Sequence, residues 1–306
     1  MDFGRLVFGA NVLGWTVHGD EAFALLDHCV ARGVTCFDTA DHYVTWTPDG
    51  QGGESEAIIG RWLAQRGRSD DLSIITKVGF EMRDGSKGLS RAHILRSIDA
   101  SLDRLQRSHV DLYMAHLEDP DTPIEETMEA FAELIEAGKV REIGVSQLGA
   151  STIVKGMEFA ARHGLPSFTV FETLYNLYER EPFESDGAQL AARYGFQVLP
   201  FRSLAAGYLT GKYRAVADLT QSVRGARAGG FMDARGTRIL AAMDLVSAQN
   251  DATLTQIAVA WLRDRPHVAA LLAGATRREQ LDEQLAGAEL VLDPRHVALL
   301  DEASAY

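Results

Sequence analysis

At 306 residues and 46% hydrophobic, the chain can bury a large core and suits one closed β/α barrel running over residues 1–306. A formal net charge of −13 argues against nucleic-acid and anionic-membrane partners, both of which need a basic face. Cys29 and Cys36 are the two cysteines, Met1–Arg5 shows no signal-peptide pattern, and no apolar run nears the roughly 18–20 residues that span a bilayer, so a cytoplasmic setting is expected.

Short apolar, β-branched runs alternate with longer segments of helical period along the whole chain. Strand candidates centre on Val7-Phe8, Cys36, Ile75, Leu112, Ile143–Val145, Thr169–Phe171, Val198-Leu199 and Ala270–Leu272. Helix candidates fall at about 20–32, 54–66, 90–107, 123–138, 150–163, 183–194, 253–265 and 277–287. Ser90 and Thr253 read as N-caps, Thr122-Pro123 as a cap with proline at the first helical position, and Gly33, Gly138 and Gly164 as left-handed helix ends. Strict alternation predicts a (β/α)8 TIM barrel, with a doubly wound sheet as the alternative. Two long connections interrupt it. Residues 203–252 follow the seventh strand with a Gly/Arg-rich middle, Arg224–Gly230, and read as a lid, while 41–53 carries Trp46 and reads as a pocket wall.

Polar groups recur at one end of successive strands. Asp38 and Tyr43 follow the second strand, Lys77 ends the third and His116 follows the fourth. In a parallel barrel these ends converge on the face where chemistry is done. Taken singly, Asp38-Thr39 is ordinary turn chemistry, Lys77 a strand-end lysine and His116 a core histidine. Together they make a proton-transfer set, because a neighbouring ammonium lowers a tyrosine's pKa from its usual value of about 10. Other motifs fail on spacing: there is no Gly-x-Gly-x-x-Gly, Gly207–Tyr213 is not a phosphate loop, and Gly144–Gly149 is not a hydrolase elbow. Glu118, Asp119 and Asp121 beside His116 read as turn chemistry, so no metal is expected.

The segments Phe37-Asp38-Thr39-Ala40-Asp41-His42-Tyr43, Gly53-Glu54-Ser55-Glu56, Ile75-Thr76-Lys77, Asp111–His116, Gly138–Ser146, Tyr175-Asn176-Leu177, Leu209–Tyr213 and Ala273–Arg277 with Gln280-Leu281, in this order, resemble the aldo-keto reductase family over almost the whole chain. The resemblance implies a catalytic tetrad of Asp38, Tyr43, Lys77 and His116, with Tyr43 as proton donor. It implies a nicotinamide cofactor, with Ser146, Gln147 and Glu172 at the carboxamide and Phe201 stacked on the ring. Arg202 falls beside the pyrophosphate, Leu204 and Gly274 are further cofactor-binding residues, Arg277 and Gln280 lie near the ribose or its 2′-phosphate, and Glu283 and Gln284 at the adenine. The pair Arg277-Arg278 suits a 2′-phosphate and favours NADPH over NADH. Trp15, Trp46 and Phe80 are candidate walls for a small carbonyl substrate, and Asp41, Arg202, Arg224 and Arg227 leave room for a sugar-like one.

Several positions depart from the family pattern. Gln147 and Gln284 stand where asparagine is usual, Arg202 where serine is, and Glu172 where glutamine is; an ionised Glu172 favours the oxidised ring. The N-terminal hairpin is shortened to Met1–Gly4. Three other readings stay open: an NAD-dependent sugar 1-dehydrogenase on the same site, a non-catalytic cofactor-binding module comparable to channel-associated β subunits, and a Schiff-base aldolase using Lys77. The substrate and the oligomeric state are not encoded legibly.

Overall fold

In a computed structural model that describes residues 1–67 and 71–306, eight parallel strands form one sheet. They are β1 (Leu6–Gly9), β2 (Cys36–Asp38), β3 (Ser73–Val78), β4 (Val110–Ala115), β5 (Val140–Ser146), β6 (Val170–Leu174), β7 (Gln197–Phe201) and β8 (Leu271–Ala273). The order β7-β6-β5-β4-β3-β2-β1-β8 runs in sequence once β8 is placed beside β1. The remaining gap closes where Val198 bridges Val268 and the Ala269 amide donates to the Val198 carbonyl at 2.9 Å. The sheet is therefore the expected barrel rather than an open doubly wound one.

Between the strands lie α1 (Gly19–Ala31), α2 (Glu54–Arg66), α3 (Arg91–Leu105), α4 (Ile124–Glu136), α5 (Ala150–His163) and α6 (Ala188–Tyr194), the last entered through a π turn, Phe183–Gly187. The termini follow local chemistry. Ser90 accepts from the His93 amide, Thr253 and Gln256 cap one another, and Gly33, Gly138 and Gly164 have φ of 82°, 70° and 65°. At α4 the expectation shifts by one place: Pro123 itself is the N-cap residue and the helix begins at Ile124.

The connection after β7 is not the bare loop expected. Beyond a short turn, α7 (Gly225–Ala228), it contains α8 (Ala234–Asn250), capped by Asp233 and buried through Ile239, Leu240, Met243 and Val246. Those residues recur at helical spacing, but Arg224–Gly230 just ahead of them breaks the pattern. The chain continues as α9 (Leu254–Arg263) and α10 (Arg278–Glu289) and ends in α11 (Pro294–Ala303), started by Asp293-Pro294 and also absent from the sequence reading.

Packing inside the barrel positions the site. Phe3, Val7, Cys36, Ile75, Leu112, Met114, Val170, Leu199 and Leu272 form a buried cluster of their own, with Met1 and Phe201 against it. Ahead of β1, Phe3 is buried in this cluster. Side chains alternate faces along a strand, so the residues two places on from Cys36, Ile75, Met114, Val170, Leu199 and Leu272 face the same interior one layer higher. They are Asp38, Lys77, His116, Glu172, Phe201 and Gly274. A polar layer thus caps an apolar plug.

Candidate active site

Lys77, fully buried, is the hub of that layer. Its ammonium donates to Asp38 Oδ1, to the Thr39 carbonyl at 2.9 Å and to the Tyr43 hydroxyl at 3.1 Å. The Tyr43 hydroxyl in turn donates to Asp38 Oδ2 at 3.1 Å. Glu172 Oε2 lies 3.6 Å from the same ammonium. Burial alone lowers a lysine, but the charge and hydrogen bond of the Asp38 carboxylate raise Lys77, so it stays charged.

Tyr43 behaves otherwise than the sequence suggests. Burial and the Asp38 carboxylate raise its pKa well above the usual tyrosine value, and Lys77 only partly offsets them. Tyr43 is therefore held as a neutral phenol with its proton in place. His116 is held neutral, driven well below the ordinary imidazole value by burial and by Lys77 and His42, and its Nδ1 is buried without a partner.

The residues flanking the hub are braced from behind by the Gly53–Glu56 motif. Thr39 donates to Ser55 Oγ at 2.9 Å, Ser55 to the Ala10 carbonyl at 2.8 Å, and Thr76 to Glu56 Oε1 at 2.5 Å. Arg104 of α3 completes the brace with a 2.7 Å pair to the fully buried Glu56. Nearby, Asp41 is buried with both side-chain oxygens unpartnered, and burial and Glu56 push it up to about 8.

An aromatic wall rises over the hub. Trp15 meets Trp46 edge-on at 5.6 Å, and Trp46 lies 5.9 Å from Tyr43. Phe80 is 4.7 Å from His116 and stacks at 4.2 Å on His42. His42 is a wall residue that sequence reasoning missed, although it lies inside the motif that named Asp38 and Tyr43. Burial keeps it uncharged, lowering it to about 3. Arg83 ties loop 41–53 down by donating to the Gly50 carbonyl at 2.7 Å. From the long connection, Arg224 reaches over Trp15 at 5.4 Å and donates to Asn11 at 3.3 Å.

The other expected residues line the opposite arc. Ser146 ends β5 in register with Glu172, and Ser146 Oγ, Glu172 Oε2 and Gln284 Oε1 are buried without partners. Burial raises Glu172 to about 8 against the pull of Lys77. Gln147, Phe201 and Arg202 border a cavity of about 320 Å³, and Arg202 stands 5.7 Å over the Phe201 ring. Gln147, Arg202, Ala205 and Ala206 all have φ between 47° and 56°, a left-handed backbone costly for non-glycine residues and concentrated on the loops after β5 and β7. Leu204 is half-buried in the second of these loops. Gly274 sits so close to Gly9 that an added Cβ would lie 2.9 Å from its carbonyl oxygen. Gln284 donates to the Gly274 carbonyl at 3.1 Å, Gln280 accepts from the Thr276 amide at 2.8 Å, and Glu283 is half-buried. Arg277 and Arg278 are exposed where α10 begins, a helix start with no side-chain cap.

Two of the acidic residues near His116 serve local backbone structure. Glu118 accepts from the Gly149 amide and Thr152 at the start of α5, and Asp119 from the Leu89 and Asp121 amides.

The model of the aldo/keto reductase family matches residues 5–305. Similar proteins include a probable voltage-gated potassium channel subunit beta of Arabidopsis thaliana, 30% identical over 94% of this chain and 88% of its own length. Protein tas of Escherichia coli is 30% identical over 95% and 91%, and the L-glyceraldehyde 3-phosphate reductase of the same organism 30% over 91% and 82%.

Proposed function

The chain belongs to the aldo/keto reductase family, and we propose that it interconverts an aldehyde or ketone and its alcohol, with Tyr43 as proton donor. One observation carries this reading: the Tyr43 hydroxyl is bonded at once to the Lys77 ammonium and the Asp38 carboxylate, beside a neutral His116. A nicotinamide cofactor, NADPH in preference to NADH, supplies the hydride when bound across the mouth. The unpartnered Ser146 Oγ and Glu172 Oε2 suit its carboxamide, the Phe201 face its ring, and the uncapped α10 start with Arg277 and Arg278 a phosphate.

The protein's part is positioning and proton transfer. A carbonyl under reduction gathers negative charge on oxygen and needs a proton as it does so. Tyr43 keeps its proton until an acceptor better placed than Asp38 arrives, and Lys77 then stabilises the phenolate left behind. His116, uncharged, has one N–H to offer the carbonyl oxygen and so orients it. Asp38 holds Lys77 charged and aimed. Trp15, Trp46 and Phe80 exclude water on the substrate side, and the arginines of the long connection favour a polar, sugar-like substrate.

Titrating the purified protein with NADPH and NADH while following tryptophan fluorescence tests the cofactor site, because Trp15 and Trp46 lie on the mouth. Saturable NADPH binding followed by turnover of short aldehydes or sugars supports the whole reading. Tighter NADH binding with lactone formation moves it to a sugar dehydrogenase. Tight cofactor binding without turnover of any carbonyl makes the chain a binding module, in line with its likeness to the channel subunit. Binding of neither dinucleotide overturns it.

A further inference from the structure

Lys77 has three N–H donors, and all three are taken: one by Asp38, one by the Thr39 carbonyl and one by Tyr43. Glu172, 3.6 Å away, is left with the ammonium's charge but no hydrogen bond from it, and its Oε2 is buried and unpartnered. Two carboxylates therefore face one cation inside a closed layer. Among the described residues, Lys77 is the cation paired with Glu172. The strands flanking β6 present Ser146 and Phe201, neither of them charged, and His116 from the β4 side is neutral. With Tyr43 a neutral phenol, the layer is one positive charge short whenever Glu172 is ionised.

We propose that Glu172 sets which redox state of the cofactor the site prefers, losing its proton to solvent when the oxidised nicotinamide binds and keeping it when the reduced ring binds. The inference rests on the nicotinamide reading of the site. The oxidised ring carries one positive charge and the reduced ring none, so the oxidised ring alone supplies the missing cation. The balance is simple: one carboxylic acid gives one carboxylate and one proton in solution, and the proton returns when the reduced ring replaces the oxidised one. Burial keeps the carboxyl protonated near neutrality in the free protein, so that a proton is there to lose. A glutamine at this place has no such proton.

The test is the affinity of the full-length protein for NADP⁺ and for NADPH from about pH 6 to about pH 9. A cation within a few ångströms moves a carboxyl pKa by about one unit or more. By linkage, NADP⁺ binding then tightens roughly tenfold as pH rises through this window, while NADPH binding stays flat or weakens. Calorimetry in two buffers of different ionisation heat should show proton release with NADP⁺ and none with NADPH. In Glu172→Gln both signals vanish and the preference moves roughly tenfold towards NADPH; Glu172→Asp restores the proton release. A pH dependence that survives in Glu172→Gln, or equal slopes for the two dinucleotides in the wild type, overturns the inference and leaves the cofactor site standing. No saturable binding of either dinucleotide overturns both.

Discussion

The Lys77 ammonium donates to the Tyr43 hydroxyl at 3.1 Å and stands 5.0 Å from the centroid of the same ring. Together the two distances put the cation beyond the hydroxyl, so it holds the phenol through its proton-bearing oxygen. The two residues differ in what else depends on them. Tyr43→Phe removes only the hydroxyl, so it should lower carbonyl reduction by ~10²–10⁴-fold while cofactor affinity and melting temperature barely move. Lys77→Met removes the cation that lies between the Asp38 and Glu172 carboxyl groups. It should abolish turnover and also cost ~3–5 kcal/mol of stability. Steady-state kinetics alongside denaturant melts of both variants separate these outcomes; a Lys77→Met protein as stable as the wild type would contradict the charge balance described here.

Asp41 gives the fold a pH dependence of known sign. Its carboxyl is raised to about 8 from an ordinary value of 3.8 by burial and by Glu56, so the native state holds a proton that the unfolded chain has lost over that interval. Stability from this group is complete below about pH 4 and falls as pH rises towards 8. Asp41→Asn keeps the shape without the titration. It should flatten the decline between about pH 5 and pH 8, leaving the variant more stable than wild type at the alkaline end by an amount on the order of 1–3 kcal/mol. Urea midpoints measured across the range check this, and parallel curves for the two proteins would refute it.

The legible part of this protein in its sequence was whatever is encoded by period and by local chemistry. α2 and α5 begin and end where their apolar spacing and flanking glycines place them. The polar groups at strand ends could be grouped because a parallel barrel brings successive ends together, and the structure does bring Asp38, Tyr43, Lys77 and His116 into one cluster. What stayed hidden depends on packing. α8 sits behind a stretch whose glycines mask its spacing, and α11 is a short helix whose burial rests on Leu300 and Ala303 alone. The direction of the Tyr43 shift was hidden for a similar reason. A lysine beside a tyrosine is visible in sequence as a possible pair, whereas the burial and the bond to Asp38 that outweigh it exist only in three dimensions.

Glu56 and Arg104 carry a prediction about the brace behind the site. Glu56 is fully buried, accepts from Thr76 at 2.5 Å and pairs with Arg104 at 2.7 Å, so truncating it strands a partly buried cation and unties β3 from α2 and α3 together. Glu56→Ala should lose ~3–5 kcal/mol. Glu56→Gln, which still accepts from Thr76, should lose less than half of that. Because Thr76 adjoins Lys77, the alanine variant should also reduce turnover at temperatures where it remains folded. Unchanged stability in Glu56→Ala would show that the brace is not structural.

The start of α10 bears on the choice between NADPH and NADH. Arg277 occupies the N-cap position in extended conformation with no side-chain hydrogen bond to the helix, and both it and Arg278 are exposed. A helix start without a side-chain cap, flanked by two guanidinium forks, favours an anion at that spot. The 2′-phosphate is the one group that distinguishes the two dinucleotides, so a contact confined to it must show up as a difference between them. Arg277→Ala should weaken NADPH binding roughly tenfold, about 1.4 kcal/mol, while leaving NADH within about twofold. The NADPH loss should shrink at high salt, because exposed charges are screened within about 10 Å at 0.1 M. Equal weakening of both dinucleotides would place Arg277 on a group they share, and no change in either would remove it from the site.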